Sequence, residues 1–301
     1  MPRVILRPGG GTADASDLKS EGELNHRVGS NPSPGTRLRS ELWRTSLPQQ
    51  QTDEKTLTMP ELPEVQILVD QLAPRLERAR IRAVEICDPK IRLRYNVVGR
   101  KILRVWRRGK NIIFDLTGGL HLLAHLRMTG WFEFTAPKRY RAAIRTGKGT
   151  AYFEDGRRFG VLQVLTSAEL QRNLEALGPD PIVDGSDLSR LRRTSRSVKV
   201  ALLDQQLVAG VGNIYASESL WRARINPRRR ANQLRPTELR ALERGIMTSL
   251  RKAIKYGPRI FEVQQFAVYE RAGETCRRCG TMIRRIVQAQ RSTYYCPQCQ
   301  R

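Results

Sequence analysis

From Pro63 onward the apolar residues Val65, Leu68, Val69, Leu72 and Leu76 return at spacings of three and four, which is one face of an amphipathic helix. Pro63 falls in the first turn, where proline is tolerated, and Glu61 and Glu64 put negative charge at the helix start, where the backbone dipole favours it. The period then changes to the short runs of strands: IRAVEI, KILRVWRR, NIIFDL, LHLLAHL, WFEFT, GTAYFED and VLQVL, many parted by glycine or charged turns such as Thr117-Gly118-Gly119. At Leu177-Gly178-Pro179-Asp180-Pro181 the pattern stops in a turn-rich joint. Helical signals follow through Lys255, among them PTELRALERGIMTSLRKAIKY with Thr237 as candidate N-cap. From Val263 the chain reads as short strands around paired cysteines. Residues 1–58 differ from all of this: Gly9-Gly10-Gly11, Ser30-Asn31-Pro32-Ser33-Pro34-Gly35 and Gln49-Gln50-Gln51 are linker residues without sustained periodicity, so disorder is expected there. The fold class is α+β and multidomain, divided into an extension (1–58), a helix-led, sheet-rich domain (59–185), a helical domain (186–262) and a cysteine-bearing end (263–301).

Charge changes the picture next. The 301 residues hold 54 Lys+Arg against 29 Asp+Glu, a formal charge of +25, and an apolar share of 40% that excludes wholesale disorder. The extension carries eight basic and seven acidic residues, so nearly all the excess belongs to the folded part. A basic face implies a polyanionic partner, most often nucleic acid, against the plainer reading of solvated arginines. The longest apolar stretch, around Leu120 to Leu126, is interrupted by His121 and His125 and falls far short of the roughly 18 residues of a spanning helix. The opening MPRVILRPGGG lacks a signal-peptide core, so a cytoplasmic protein with no membrane partner is expected.

Cys276-Arg-Arg-Cys279 and Cys296-Pro-Gln-Cys299 give the spacing C-x2-C-x16-C-x2-C. Four thiolates on two tight knuckles satisfy tetrahedral zinc with no open position, so one structural Zn2+ is expected. The insert suits a hairpin held at its base by the metal, with a polar, basic tip at Gln288-Ala289-Gln290-Arg291. It either stabilises the C-terminus or inserts Arg291 into a nucleic-acid groove. The fifth cysteine, Cys87, reads as a small core residue rather than a nucleophile. Gly210-Val211-Gly212-Asn213 stands before a helix, where backbone amides can approach a phosphate, although a tight turn between helices has the same look. Glu154-Asp155-Gly156-Arg157-Arg158-Phe159-Gly160 is either a phosphate clamp with a stacking wedge or a hairpin with a core phenylalanine.

Taken together, Met59-Pro60-Glu61-Leu62-Pro63-Glu64-Val65, Arg108-Gly109-Lys110-Asn111, His125-Leu126-Arg127-Met128-Thr129-Gly130, Arg157-Arg158-Phe159-Gly160, the Val208 to Ser219 run and the four cysteines resemble formamidopyrimidine-DNA glycosylases over residues 59–301. The resemblance implies a β-sandwich domain, a helix-two-turn-helix domain and a zinc-finger hairpin. It implies a monomeric base-excision enzyme that removes oxidised purines from double-stranded DNA and nicks the abasic site by β,δ-elimination. By the same resemblance the amine of Pro60 is the nucleophile that forms the Schiff base, and Glu61 is the general acid for sugar-ring opening. Lys110 contacts the lesion phosphate and donates a proton in β-elimination, and Arg291 serves δ-elimination. Met128, Arg157 and Phe159 fill the gap left by a flipped nucleotide, Asn213 holds a phosphate, and Lys138 stands where many relatives carry a DNA-contacting histidine.

Two departures qualify this. Pro60 is internal in the written chain, where its nitrogen is a tertiary amide without a nucleophilic lone pair, so either Met59 is the true start or a protease exposes Pro60. Between Ala253 and Tyr269 the chain lacks roughly a dozen residues that relatives use to close over the purine, which leaves open a lesion range like that of the endonuclease VIII branch. A non-catalytic damaged-DNA-binding protein is the reading from another class, and a nucleoid-associated location goes with both.

Overall fold

The computed structural model describes residues 4–6, 59–257 and 266–301. Helix α1 (Leu62–Leu76) has Glu61 as its N-cap, and all five periodic apolar residues are buried. Eight strands follow: β2 (Ile81–Ile86), β3 (Ile102–Arg108), β4 (Asn111–Leu116), β5 (Leu120–His125), β6 (Trp131–Glu133), β7 (Ala142–Thr146), β8 (Gly149–Glu154) and β9 (Val161–Thr166). They form two antiparallel sheets, β3-β4-β5-β9 and β2-β7-β8-β6, the second extended beyond β2 by β1 (Val4–Leu6). Val84, Phe132, Ile144 and Phe153 of one sheet and Val105, Phe114, Leu122 and Val164 of the other share one core with Leu68 and Leu72 of α1. The sandwich implied by the resemblance is therefore present.

Three features depart from the sequence reading. Disorder does not hold at Val4–Leu6, whose aliphatic run pairs antiparallel with the edge strand β2, Val4 opposite Ile86 and Leu6 opposite Val84; the rest of 1–58 lies outside the described residues. Strand β7 is missing from the predicted runs because Ala142, Ala143 and Ile144 are buried without alternation. Helix α2 (Ser167–Glu175) is also missing, yet Thr166 and Glu169 make a reciprocal capping box at its start, with Thr166 N donating to Glu169 Oε2 at 2.9 Å. Cys87 is half-buried just after β2, its Sγ 3.7 Å from Glu85 Oε1.

The helical part holds α3 (Val198–Leu203), α4 (Asn213–Ala223) and α5 (Pro236–Tyr256) around a second core that includes Val198, Tyr215, Leu220, Leu242, Ile246 and Leu250. Thr237 is not the cap of α5. Pro236, with its fixed φ, takes the first helical position, and Arg235 is the N-cap, its N–H donating to Glu238 Oε2 at 2.9 Å. Strands β10 (Arg284–Gln288) and β11 (Arg291–Tyr295) form the terminal hairpin, whose two-residue tip, Ala289 and Gln290, has φ of 45° and 59°. Two positive φ values match a type I′ turn. The shortened stretch, from Pro258 to Gln265, lies outside the described residues. Among the described residues no helix is long and apolar enough to cross a membrane.

Leu62 and Asp180 are among the residues that join the halves. Leu62, the first residue of α1, packs in the helical core while the rest of α1 packs in the sandwich. Asp180 of the turn-rich joint, fully buried, accepts from Arg107 Nη1 at 2.5 Å and Nη2 at 3.3 Å and from Gly109 N at 2.8 Å. Arg107 Nε also donates to Gln66 Oε1 at 2.9 Å. A buried pair is costly to break because the remaining charge is left uncompensated, at about 3–5 kcal/mol. Asp180→Ala should thus lower the unfolding free energy from a denaturant titration by an amount of that order; a loss of only a few tenths of a kcal/mol would show that the joint is not held by this pair.

Candidate active site at the domain interface

The sequence Pro60-Glu61 delivers a carboxylate to the start of another helix. Glu61 is buried, and its carboxylate accepts from Gly212 N at 2.8 Å, Ile214 N at 2.8 Å and Tyr215 N at 3.3 Å, the unpaired donors at the N-terminus of α4. A side chain at residue 212 would stand 2.4 Å from Glu61 Cδ and 2.7 Å from Lys110 Nζ, so glycine is required there and Lys110 lies against Glu61. Burial pushes the Glu61 carboxyl up, opposed by the Lys110 charge and the three backbone donors. Burial pushes the Lys110 ammonium down, opposed by Glu61 and Glu64. These shifts bring an acid and an amine towards sharing a proton, the condition general acid–base work needs. Glu64, one turn on, accepts from Tyr215 Oη at 2.6 Å and from Glu61 N at 2.9 Å, and burial raises it to about 7.

Lys110 sits at the β3–β4 turn, where Asp180 holds the preceding Gly109 N–H. Asn213, the first residue of α4, donates to Ser292 O at 3.0 Å and so fixes the hairpin beside the helix start. Arg291 at the hairpin tip thereby enters the field of both Lys110 and Lys199. The structure thus gathers Pro60, Glu61, Lys110, Asn213 and Arg291. Sequence reading missed three members. Lys199 of α3 is wholly buried with Nζ 2.5 Å from Asn213 Oδ1, and burial, with Arg291 adding, lowers it to about 8. Tyr269 bonds Asn213, and burial pushes its hydroxyl up to about 12. His125 is pushed down to about 4 by burial and by Arg127 and Lys110, which keeps its ring neutral. Its place in the HLRMTG run was a signal; for a lone lysine between valines there was none.

Met128 is half-buried in the turn after β5, while Arg157 is exposed and Phe159 is 59% exposed in the turn after β8. A large aromatic left that open fits a wedge better than the core residue of a plain hairpin. Lys138 is exposed in the loop between β6 and β7, and among the described residues the structure does not bring it against the others.

The four cysteine sulfurs lie within 4.8 Å of one another, with Cys276 Sγ 3.9 Å from Cys299 Sγ and Cys279 Sγ 3.5 Å from Cys296 Sγ. Tetrahedral zinc with bonds of ~2.3 Å separates its sulfurs by about 3.8 Å, so the donor set fits the ion expected from the spacing. Backbone Arg278 N and indole Trp221 Nε1, each 3.5 Å from Cys276 Sγ, add donors that favour the thiolate.

Family models match this arrangement along the chain: the formamidopyrimidine-DNA glycosylase N-terminal domain at residues 59–162, its H2TH domain at 177–265, and a zinc finger found in FPG and IleRS at 273–301. A formamidopyrimidine-DNA glycosylase of Thermus thermophilus is 39% identical over 263 residues, covering 80% of this chain and 98% of that protein. The chain belongs to the formamidopyrimidine-DNA glycosylase family. It is a DNA-repair glycosylase of the class that also cleaves at abasic sites. A relative from Roseiflexus is 38% identical, covering 81% of this chain and all of that one. Among solved structures, the MutM (Fpg) protein of Thermus thermophilus superposes with a TM-score of 0.73 at 38% identity, covering 80% of this chain and 98% of that one. The Lactococcus lactis enzyme, non-covalently bound to DNA containing an AP site, gives 0.74 at 32% identity, covering 80% and 99%.

The raised Glu64 has a measurable consequence. Unfolded, it titrates near 4.5, and folded, near 7. Between those values the folded protein holds a proton the unfolded chain has released, so this contribution to stability falls as pH rises through the window, by about 3 kcal/mol at most. Subtracting the stability curve of Glu64→Gln from that of the unsubstituted protein should expose this decline; a flat difference would mean that Glu64 titrates normally.

Proposed function

We propose that the competent form has Pro60 as its N-terminal residue and that its secondary amine carries out glycosylase and lyase chemistry on oxidised, chiefly purine, lesions in double-stranded DNA. The observation that carries this reading is the convergence of Pro60-Glu61, Lys110, Asn213 and Arg291 on the N-terminus of α4. An α-amine has a reference pKa of ~8 against ~10.4 for lysine, so a useful fraction is unprotonated near neutrality. The Pro60 nitrogen bonds to C1′ of the damaged nucleotide as the base leaves. Glu61, raised by burial, supplies the proton for ring opening, and the resulting iminium is the electron sink for β- and then δ-elimination. Lys110 holds the lesion phosphate and serves β-elimination, with Arg291 serving δ-elimination. Asn213 binds a neighbouring phosphate, joined in this reading by Lys199 and Tyr269. Met128, Arg157 and Phe159 fill the space vacated by the flipped nucleotide, and a wedge of this kind offsets part of the few kcal/mol that flipping costs. Lys138 remains a candidate phosphate contact from its place in the sequence alone.

Cys276, Cys279, Cys296 and Cys299 would hold a zinc ion that pins the base of the hairpin, and four thiolates leave it no open position for chemistry on the substrate. The division at residues 185 and 262 separates the sandwich, helical and finger units, and the protein works as a monomer on the nucleoid in the cytoplasm.

Borohydride trapping on duplex DNA with one abasic site tests the nucleophile. Protein beginning at Pro60 should crosslink, whereas the full chain and Pro60→Gly in a chain starting at Met59 should not, while both still bind. Equal trapping by the Pro60→Gly variant would exclude Pro60, and absence of trapping by every form that binds would favour a non-catalytic damaged-DNA-binding protein.

Binding itself should depend steeply on salt, log affinity falling against log salt by about 0.9 for each phosphate neutralised. A titration of duplex binding from low to moderate salt that came out flat would contradict a phosphate-gripping basic face.

A further inference from the structure

We propose that Asp155 is a positioning residue that locks the two turns bearing Met128 and Arg157–Phe159 into one rigid unit; the inference rests on reading those three residues as the wedge. Each turn is strained beside its wedge residue. Arg127 and Arg158 both have φ of 58°, a left-handed conformation that is unfavourable for a non-glycine residue and persists only where the surroundings over-determine it. The first turn closes through Gly130 N to Leu126 O at 2.9 Å, and a side chain at residue 130 would stand 2.5 Å from that oxygen. The second closes through Arg158 N to Asp155 O at 3.1 Å.

The Asp155 side chain is fully buried between them. Its Oδ1 accepts from Thr129 Oγ1 in the first turn and from Arg157 N in the second, the latter at 3.2 Å. Its Oδ2 accepts from Gly160 N at 2.6 Å and from Arg141 Nη1 at 2.9 Å. Arg141 also donates to Gly160 O at 2.6 Å and, through Nε, to Asp88 Oδ2 at 2.7 Å. Asp88 in turn accepts from Arg158 Nε at 2.9 Å. Thr129, Asp155, Arg141, Asp88 and Arg158 thus make one hydrogen-bonded chain through both turns. Wedge residues on independent loops would have to be ordered each time they enter a duplex, and each immobilised side chain costs conformational entropy. The network sets that order in advance, so Met128 and Phe159 arrive at a fixed separation.

Both Asp155 oxygens face donors, so the amide of Asp155→Asn must turn its NH2 against either Thr129 and Arg157 or Gly160 and Arg141. The test uses the full chain and a stable abasic-site analogue, placed in a duplex with an adjacent 2-aminopurine and, separately, in single-stranded DNA, which needs no opening. Asp155→Asn should weaken duplex affinity at least tenfold and suppress the rise in 2-aminopurine fluorescence, while single-strand affinity stays within twofold. Thr129→Val should act in the same direction and Thr129→Ser, which restores the hydroxyl, should not; this pair keeps the test decisive if Asp155→Asn fails to fold. Equal losses on duplex and single strand would overturn the inference by showing a structural role alone. If Met128→Ala and Phe159→Ala lose duplex opening and Asp155→Asn and Thr129→Val do not, the lock is overturned and the wedge reading stands. If the Met128→Ala and Phe159→Ala variants open the duplex normally, the wedge reading fails and this inference with it.

Discussion

The Glu61 carboxylate resting on the N-terminal amides of α4 ties the first residues of the sandwich domain to the helical domain, and the placement of the site depends on it. Pro60 immediately precedes that anchor, so its nitrogen is positioned by a helix that begins over 150 residues later in the chain. Burying an anion there is tolerable because the orphan donors of a helix start and the Lys110 charge replace water. The same anchor forbids a side chain at Gly212, seats Leu62 in the helical core and leaves the remainder of α1 to fill the sandwich. One short segment thereby belongs to two cores.

Cations are sorted by chemistry around this anchor. Lys199 is buried and Lys110 half-buried, and the loss of water around each lowers its ammonium, Lys199 to about 8. Arg291, exposed at the hairpin tip, adds to the depression of both lysines. The cysteine cage at one end of the hairpin and Asn213 beside the other fix where that arginine stands. The excess positive charge of the composition is therefore divided between cations held inside the site and those left on the surface.

Much of this was legible beforehand where the signal was local. The spacing of Val65, Leu68, Val69, Leu72 and Leu76 gives α1, and the paired cysteines give the metal cage. The quoted motifs and the matching order led to the sandwich and to the residues gathered at the site. What escaped depends on tertiary contact. Strand β7 is a run of small residues made a strand by its neighbours, and β1 exists because β2 presents a free edge. Lys199 carries no local mark, since its meaning comes from the burial that lowers it and from Asn213. Helix α2 was readable, because Thr166 and Glu169 stand at capping-box spacing, but nine residues with a single buried leucine show little periodicity.

The proposed nucleophile is the Pro60 amine rather than either depressed lysine beside it. Peptide mass mapping of the borohydride-trapped complex, with protein beginning at Pro60, decides between them. The sugar adduct should lie on the N-terminal tryptic peptide, Pro60 to Arg75, with the peptides containing Lys110 and Lys199 unmodified. An adduct on Lys110 or Lys199 would contradict it.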